Sequence, residues 1–163
     1  MKTLSKPMVV LSITITCVGC DQASKLAAKR FLAPNAFFSF AGDTFRLQCA
    51  ENTGAFLSLG ASLSDPWRHL VFTVMVGIFL LGLLGYLLFN RSLTSVGVHC
   101  LSWIFAGGIS NLIDRIAYDG RVVDFLNVGI GPLRTGIFNV ADMAITFGAI
   151  ILAFHSFWQK QPK

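Results

Sequence analysis

Four apolar runs of near-bilayer length constrain this chain more than any other feature of it. A helix needs about 20 predominantly apolar residues to cross the hydrocarbon core of a membrane. His69–Phe89 holds no acid, lysine or arginine, and neither does Ser92–Ile113. Met143–Trp158 is shorter and extends backwards through Asp142 to Ile137. Pro7–Cys20 is also short, and continues as helix past Asp21 and Lys25. Only 13% of the chain is charged, against about 25% in soluble domains. The expected fold class is a membrane protein of four transmembrane α-helices, at about 7–31, 67–89, 93–114 and 138–158. Outer loops are expected at about 32–66 and 115–137, within one domain over 1–163.

Lysine and arginine set the orientation. Lys2 and Lys6 precede the first run, Arg91 lies in the short turn after the second, and Lys160 and Lys163 follow the fourth. These segments carry no acid, and an excess of basic residues marks cytoplasmic segments. Both termini are therefore expected inside. The eight acids, Asp21, Asp43, Glu51, Asp65, Asp114, Asp119, Asp124 and Asp142, then gather at or beyond the outer boundary. The N-terminal run before Cys20 has the look of a lipoprotein signal peptide, but Cys17 stands where leucine is usual. Three more runs follow it, so it reads as a retained first span.

The first outer loop contains two strand-like stretches, 36–40 and 44–49, around an Ala41-Gly42-Asp43 turn, broken by Asn52-Thr53-Gly54. Leu57–Pro66 reads as a flap or surface-lying segment. The second loop holds a strand-like run, Arg121–Val128. The cysteines read as apolar filler, and the histidines form no metal-binding spacing, so no metal site is expected.

Several polar clusters stand out against this background. Asp21 and Lys25 share a helix face, which a boundary pair with a snorkelling lysine would also explain. Asn52 and Gly54 suit either a turn or a site that binds extended peptide. Asn111, Asp114 and Arg115 end the third run, beside small residues Gly107, Gly108 and Ser110 that allow close helix approach. Asp124 lies in an apolar run, VVDF, where an outward-facing strand position is the plain alternative. Asn139 fits a helix N-cap, with Asp142 at the third helical position, favourable to the helix dipole. Ionisable groups at a membrane span are costly and mark function by default.

In order, DQASK, ENTGAF, GGISNLIDR, VVDF and FNVAD closely resemble the lipoprotein signal peptidase (signal peptidase II) family, over roughly Lys6–Trp158. Ser110 replaces the glycine usual in that family, and is small enough to keep the helix contact. The resemblance implies an integral-membrane aspartyl protease with a small extracytoplasmic β-cradle and a mobile outer segment. It makes Asp124 and Asp142 the catalytic pair. It makes Asp21, Lys25, Asn52, Gly54, Asn111, Asp114, Arg115 and Asn139 the substrate-binding or supporting residues. The implied substrates are diacylglyceryl-modified bacterial prolipoproteins, cut before the lipid-modified cysteine in the cytoplasmic (inner) membrane. No cofactor and no nucleic acid is expected; membrane lipid is, and the expected state is a monomer. Two alternatives carry part of the pattern. A small proton-coupled transporter would use intramembrane acids, although no broken-helix repeat is visible. A non-catalytic scaffold would use the glycines and leave the two acids unexplained.

Overall fold

The structure, a computed structural model, describes residues 5–32, 37–54 and 62–159. Four of its helices are long and apolar enough to cross a membrane: α1 (Lys6–Phe31), α2 (Asp65–Phe89), α3 (Ser95–Ala117) and α4 (Val140–Gln159). The element bounds follow local chemistry. Pro7 opens α1, where its missing N–H costs nothing, and Lys29 and Arg30 close it against the dipole. Thr94 caps α3, its hydroxyl accepting the Gly97 N–H at 3.1 Å. Within α2, Leu70–Met75 forms a π-helical turn, a feature frequent at functional sites.

The α3 span is central. More than half of it, 56%, is buried, against 11–17% in the other spans. Its glycines make this possible. A Cβ on Gly107 would meet the Ala141 carbonyl oxygen at 2.4 Å, so α3 and α4 touch backbone to side-chain-free backbone. Gly148 returns the contact from α4 against the Cys100 carbonyl. On the other side, Leu80 and Leu87 of α2 join Val98 and Phe105 of α3 and Val10 of α1 in an apolar core. Outward-facing Met8, Leu11, Ile15, Ile78, Phe79 and Leu81 remain exposed, as lipid-facing positions should be.

A four-stranded antiparallel sheet lies beyond the helix ends, in the order β1 (Phe38–Phe40), β2 (Phe45–Asn52), β3 (Val122–Ile130) and β4 (Leu133–Arg134). The turn between β1 and β2 puts Ala41, Gly42 and Asp43 at positive φ. Asp43 holds that turn by accepting from Ser39 and Arg46, which keep its carboxyl well below the usual carboxylate range. Opposed residues share a face of an antiparallel pair, so Phe40, Phe45 and Val128 line up on one side. A register shift between Leu47 and Ala50 brings Ala50 opposite Asp124 and Asn52 opposite Val122. That irregularity, typical next to active sites, decides what stands beside Asp124. Of the expected flap, 57–61 lie outside the described residues, while Asp65 and Pro66 begin α2.

Candidate active site

Lys25 is the centre of a closed polar cluster where α1 meets α3. Its ammonium lies 2.7 Å from Asp21 Oδ2 and 2.9 Å from Asp114 Oδ2, and donates to Asn111 Oδ1 at 2.9 Å. An ammonium has three N–H donors, and all three are used. Asp21 and Asp114 are both 0% exposed. Their remaining oxygens are filled as well. Asp21 Oδ1 accepts the Ala141 N–H at 2.8 Å, and Ser110 donates its hydroxyl to Asp21 Oδ2 at 2.7 Å. Asp114 Oδ2 also accepts the Val123 N–H at 3.0 Å, and Oδ1 accepts Gln22 Nε2 at 2.8 Å. A snorkelling Lys25 is thus overturned: the side chain is 3% exposed, because two carboxylates and an amide oxygen wait for it inside.

Beside this cluster stand Asp124 and Asp142. Asp124 comes from β3 and is 2% exposed, which overturns the outward-facing strand reading. Its Oδ2 accepts Asn52 Nδ2 at 2.9 Å and its Oδ1 accepts Asn139 Nδ2 at 2.6 Å. Burial pushes its pKa up to about 6; the Asn52 hydrogen bond opposes the rise, the Asp142 carboxylate adds to it, and the Asn139 hydrogen bond opposes it again. Asp142 sits in the first turn of α4. The Asn139 side chain accepts the Asp142 N–H at 2.9 Å, and Asp142 Oδ2 accepts the Asn139 N–H at 3.2 Å. This is a reciprocal capping box. Asn111 Nδ2 donates to Asp142 Oδ1 at 2.9 Å. Asn139 therefore touches both acids, one through its amide nitrogen and the other through its oxygen and backbone.

Both acids open onto one cavity of about 450 Å³, lined also by Asn52, Asn111, Arg115 and Val122. Its apolar wall continues along α4 through Ile145, Thr146, Ala149 and Ile150, and along α2 through Phe72 and Val76. A polar mouth with an apolar extension between spans suits a ligand that is peptide at one end and hydrocarbon at the other. Arg115, on the last turn of α3, donates to the Gly54 carbonyl at 2.8 Å and to the Asn111 carbonyl at 3.3 Å. Its guanidinium lies 5.8 Å from the Phe72 ring centroid, on the π-helical turn. The Arg115 Nε–H is buried and has no hydrogen-bond partner among the described residues. Gly54 is fixed in turn by its N–H to Asn52 Oδ1 at 2.9 Å.

The residues singled out from sequence thus fall into two connected groups. Asp124, Asp142, Asn52, Asn111 and Arg115 line the cavity; Asn139 bridges its two acids, and Gly54 holds Arg115. Asp21, Lys25 and Asp114 lie behind it, shut off from the cavity. Every donor of Lys25 is taken, so it has none to offer a substrate and falls on the supporting side. Gln22, Phe72 and Thr146 were not foreseen. Gln22 lies within the DQASK motif and is signalled there only by its polarity in an apolar run. Phe72 and Thr146 belong to apolar helix faces that no local pattern distinguishes from lipid-facing ones.

Comparisons with known proteins agree with one another. A family model described as signal peptidase (SPase) II matches residues 13–158. The chain is 35% identical over 148 residues to the lipoprotein signal peptidase of Moorella thermoacetica, covering 91% of either chain. It is 34% identical over 158 residues to that of Paraburkholderia phymatum, covering 94% of this chain and 93% of the relative. A bacterial membrane enzyme solved by the in meso method at 2.3 Å superposes with a TM-score of 0.80 at 25% identity, over 94% of this chain and 92% of the other.

Proposed function

Because the chain belongs to the signal peptidase II family, we propose that Asp124 and Asp142 are its catalytic pair. The enzyme is a membrane-embedded peptidase that removes signal peptides from lipoproteins. The observation that supports the assignment most directly is that both carboxylates line one cavity while Asn139 bonds to each.

Two neighbouring carboxylates do not readily ionise together, so the pair holds one shared proton near neutrality. The charged member takes a proton from water as it attacks the scissile carbonyl. The protonated member hydrogen-bonds the carbonyl oxygen without giving up its proton, then passes that proton to the leaving amine as the tetrahedral intermediate collapses, so the pair ends with its one proton on the other carboxyl. The pair titrates as a unit, and neither role is assigned to one residue. Asn52, Asn111 and Asn139 hold the four carboxylate oxygens in orientation without neutralising them.

The substrate is a diacylglyceryl-modified prolipoprotein, cut before the lipid-modified cysteine. Its signal helix and lipid enter sideways from the bilayer, the lipid lying against Ile145, Ala149 and Ile150. The protein works as a monomer in the bacterial inner membrane, with both termini cytoplasmic and the acids near the outer surface. Residues 1–163 form one peptidase domain. The supporting residues are Asp21, Lys25, Asn52, Gly54, Asn111, Asp114, Arg115 and Asn139. The test is cleavage of a diacylglyceryl-modified precursor by purified Asp124→Asn and Asp142→Asn proteins in detergent. Both are expected to be inactive and folded; normal cleavage by either would sink the pair.

A further inference from the structure

The closed cluster behind the acids has a symmetry that packing alone does not require. Asp21 accepts the backbone N–H of Ala141, the residue before Asp142. Asp114 accepts the backbone N–H of Val123, the residue before Asp124. Both carboxylates meet on one ammonium, that of Lys25. The third Lys25 hydrogen bond goes to Asn111, whose amide nitrogen is itself bonded to Asp142.

We infer that Lys25 is a positioning residue: by joining Asp21 to Asp114 it fixes the amides that precede Asp142 and Asp124, and so sets the spacing of the two acids. The inference rests on those acids being the reacting pair. They come from different kinds of element, one from a helix start and one from a strand, so no single element fixes their separation. Consecutive Cα atoms are about 3.8 Å apart, so a fixed amide leaves the next carboxylate only its own torsions to move through. The Ala141 N–H is one of the first-turn donors that a helix leaves unpaired, and a carboxylate there also suits the dipole. The charged groups facing the pair are Asp21 and Lys25 from α1, and Asp114 and Arg115 from α3. The β2 strand contributes neutral Asn52, and α2 contributes Phe72 and Val76.

The experiment uses the full chain in detergent. Lys25→Arg keeps the charge and replaces a compact ammonium with a planar fork, so the field on the pair is conserved while the bridge changes shape. Three quantities are read: kcat and KM on a diacylglyceryl-modified precursor, the pH profile of kcat, and hydrogen exchange of segments 121–126 and 139–144. Positioning predicts that kcat falls about a hundredfold, the scale of a misplacement near 1 Å, with KM unchanged. The limbs of the pH profile draw together as the acids uncouple. Both segments exchange faster together. A folded Lys25→Arg protein with wild-type kcat and pH profile, or with only one segment loosened, overturns the inference. If Lys25→Arg does not fold, Ser110→Ala removes one hydrogen bond from Asp21 without changing charge. It should lower kcat about fivefold and loosen 139–144; an unchanged kcat there overturns the inference equally. Asp124→Asn is the control. Cleavage surviving in it sinks the catalytic pair itself, whereas cleavage lost in it and an unmoved Lys25→Arg protein sink only the positioning role.

Discussion

Asp21 and Asp114 are buried as completely as Asp124, 0% against 2% exposed, and all three have both carboxylate oxygens hydrogen bonded. What separates them is the charge of the donor. Asp21 and Asp114 bind a buried ammonium. Asp124 and Asp142 bind the amides of Asn52, Asn111 and Asn139, and among the described residues no ion pair at salt-bridge distance reaches them. A buried acid that meets a cation is held in an ion pair and locks structure. A buried acid that meets only amides is oriented but not neutralised, and is left able to hold or release a proton. Similar residue types at similar depth thus divide into an ion-paired frame and an amide-bound pair, the pair we propose to react.

The largest expected effect breaks the comparison from the reactive side. Asp124→Asn or Asp142→Asn should lower precursor cleavage by at least about a thousandfold, the scale of lost acid–base catalysis. Both variants should still show a cooperative unfolding transition in detergent, so that the loss of cleavage is not a loss of fold. On the frame side, Lys25→Met should reverse the pattern. Removing one partner of a buried ion pair costs about 3–5 kcal/mol, so this variant should show its loss first in thermal unfolding and in yield. A Lys25→Met protein as stable as wild type would erase the distinction drawn above.

The third effect lies in pH. Asp124 carries its proton up to about 6 in the folded protein and only to about 3.9 unfolded. Below the unfolded value both states are protonated and the folded state bears no cost of burying charge. As pH rises through the folded value that advantage is lost, by about 3 kcal/mol in all. Unfolding measured in detergent from pH 4 to 7 should show this fall, and Asp124→Asn should flatten it. The smallest effect sharpens the comparison. Asn52→Ala deletes a donor that favours the charged form of Asp124. The acid limb of the activity profile should move to higher pH, with a loss of about 1 kcal/mol in kcat/KM. A limb that stays in place would mean that Asn52 orients substrate and leaves the acid alone.

Much of this was legible in the chain. The four spans follow from apolar length, and the β1–β2 hairpin follows from two strand-like stretches around Ala41-Gly42-Asp43. The family resemblance carried by five ordered motifs proposes Asp124 and Asp142 over Asp21 and Asp114, which by polarity alone are equal candidates. The partners were not legible. Nothing near Asp21 announces a bond to the Ala141 amide, and nothing near Lys25 announces two acids from different helices. Helical spacing gave Lys25 its neighbour Asp21 and stopped there. The shift in the β2–β3 register, which puts Asn52 within reach of Asp124, is likewise a property of two strands paired at a distance. Local periodicity reports which face is apolar, and carries no information on which polar groups will meet.

The close approach at Gly107 bears on how such an enzyme would escape an inhibitor seated on its two acids. Resistance arises where a wall can change without breaking the catalyst. Behind the acids, any side chain at 107 would drive into the Ala141 carbonyl, one residue from Asp142, and so would disturb the acid that the inhibitor covers. Ile145 packs against the same glycine, whereas Ala149 and Ile150 line the cavity farther along α4 from Asp142. Variation that spares the acids is therefore expected at the hydrocarbon end of the cavity, at Ala149 and Ile150. A compound that draws its affinity from the polar mouth leaves few mutational exits.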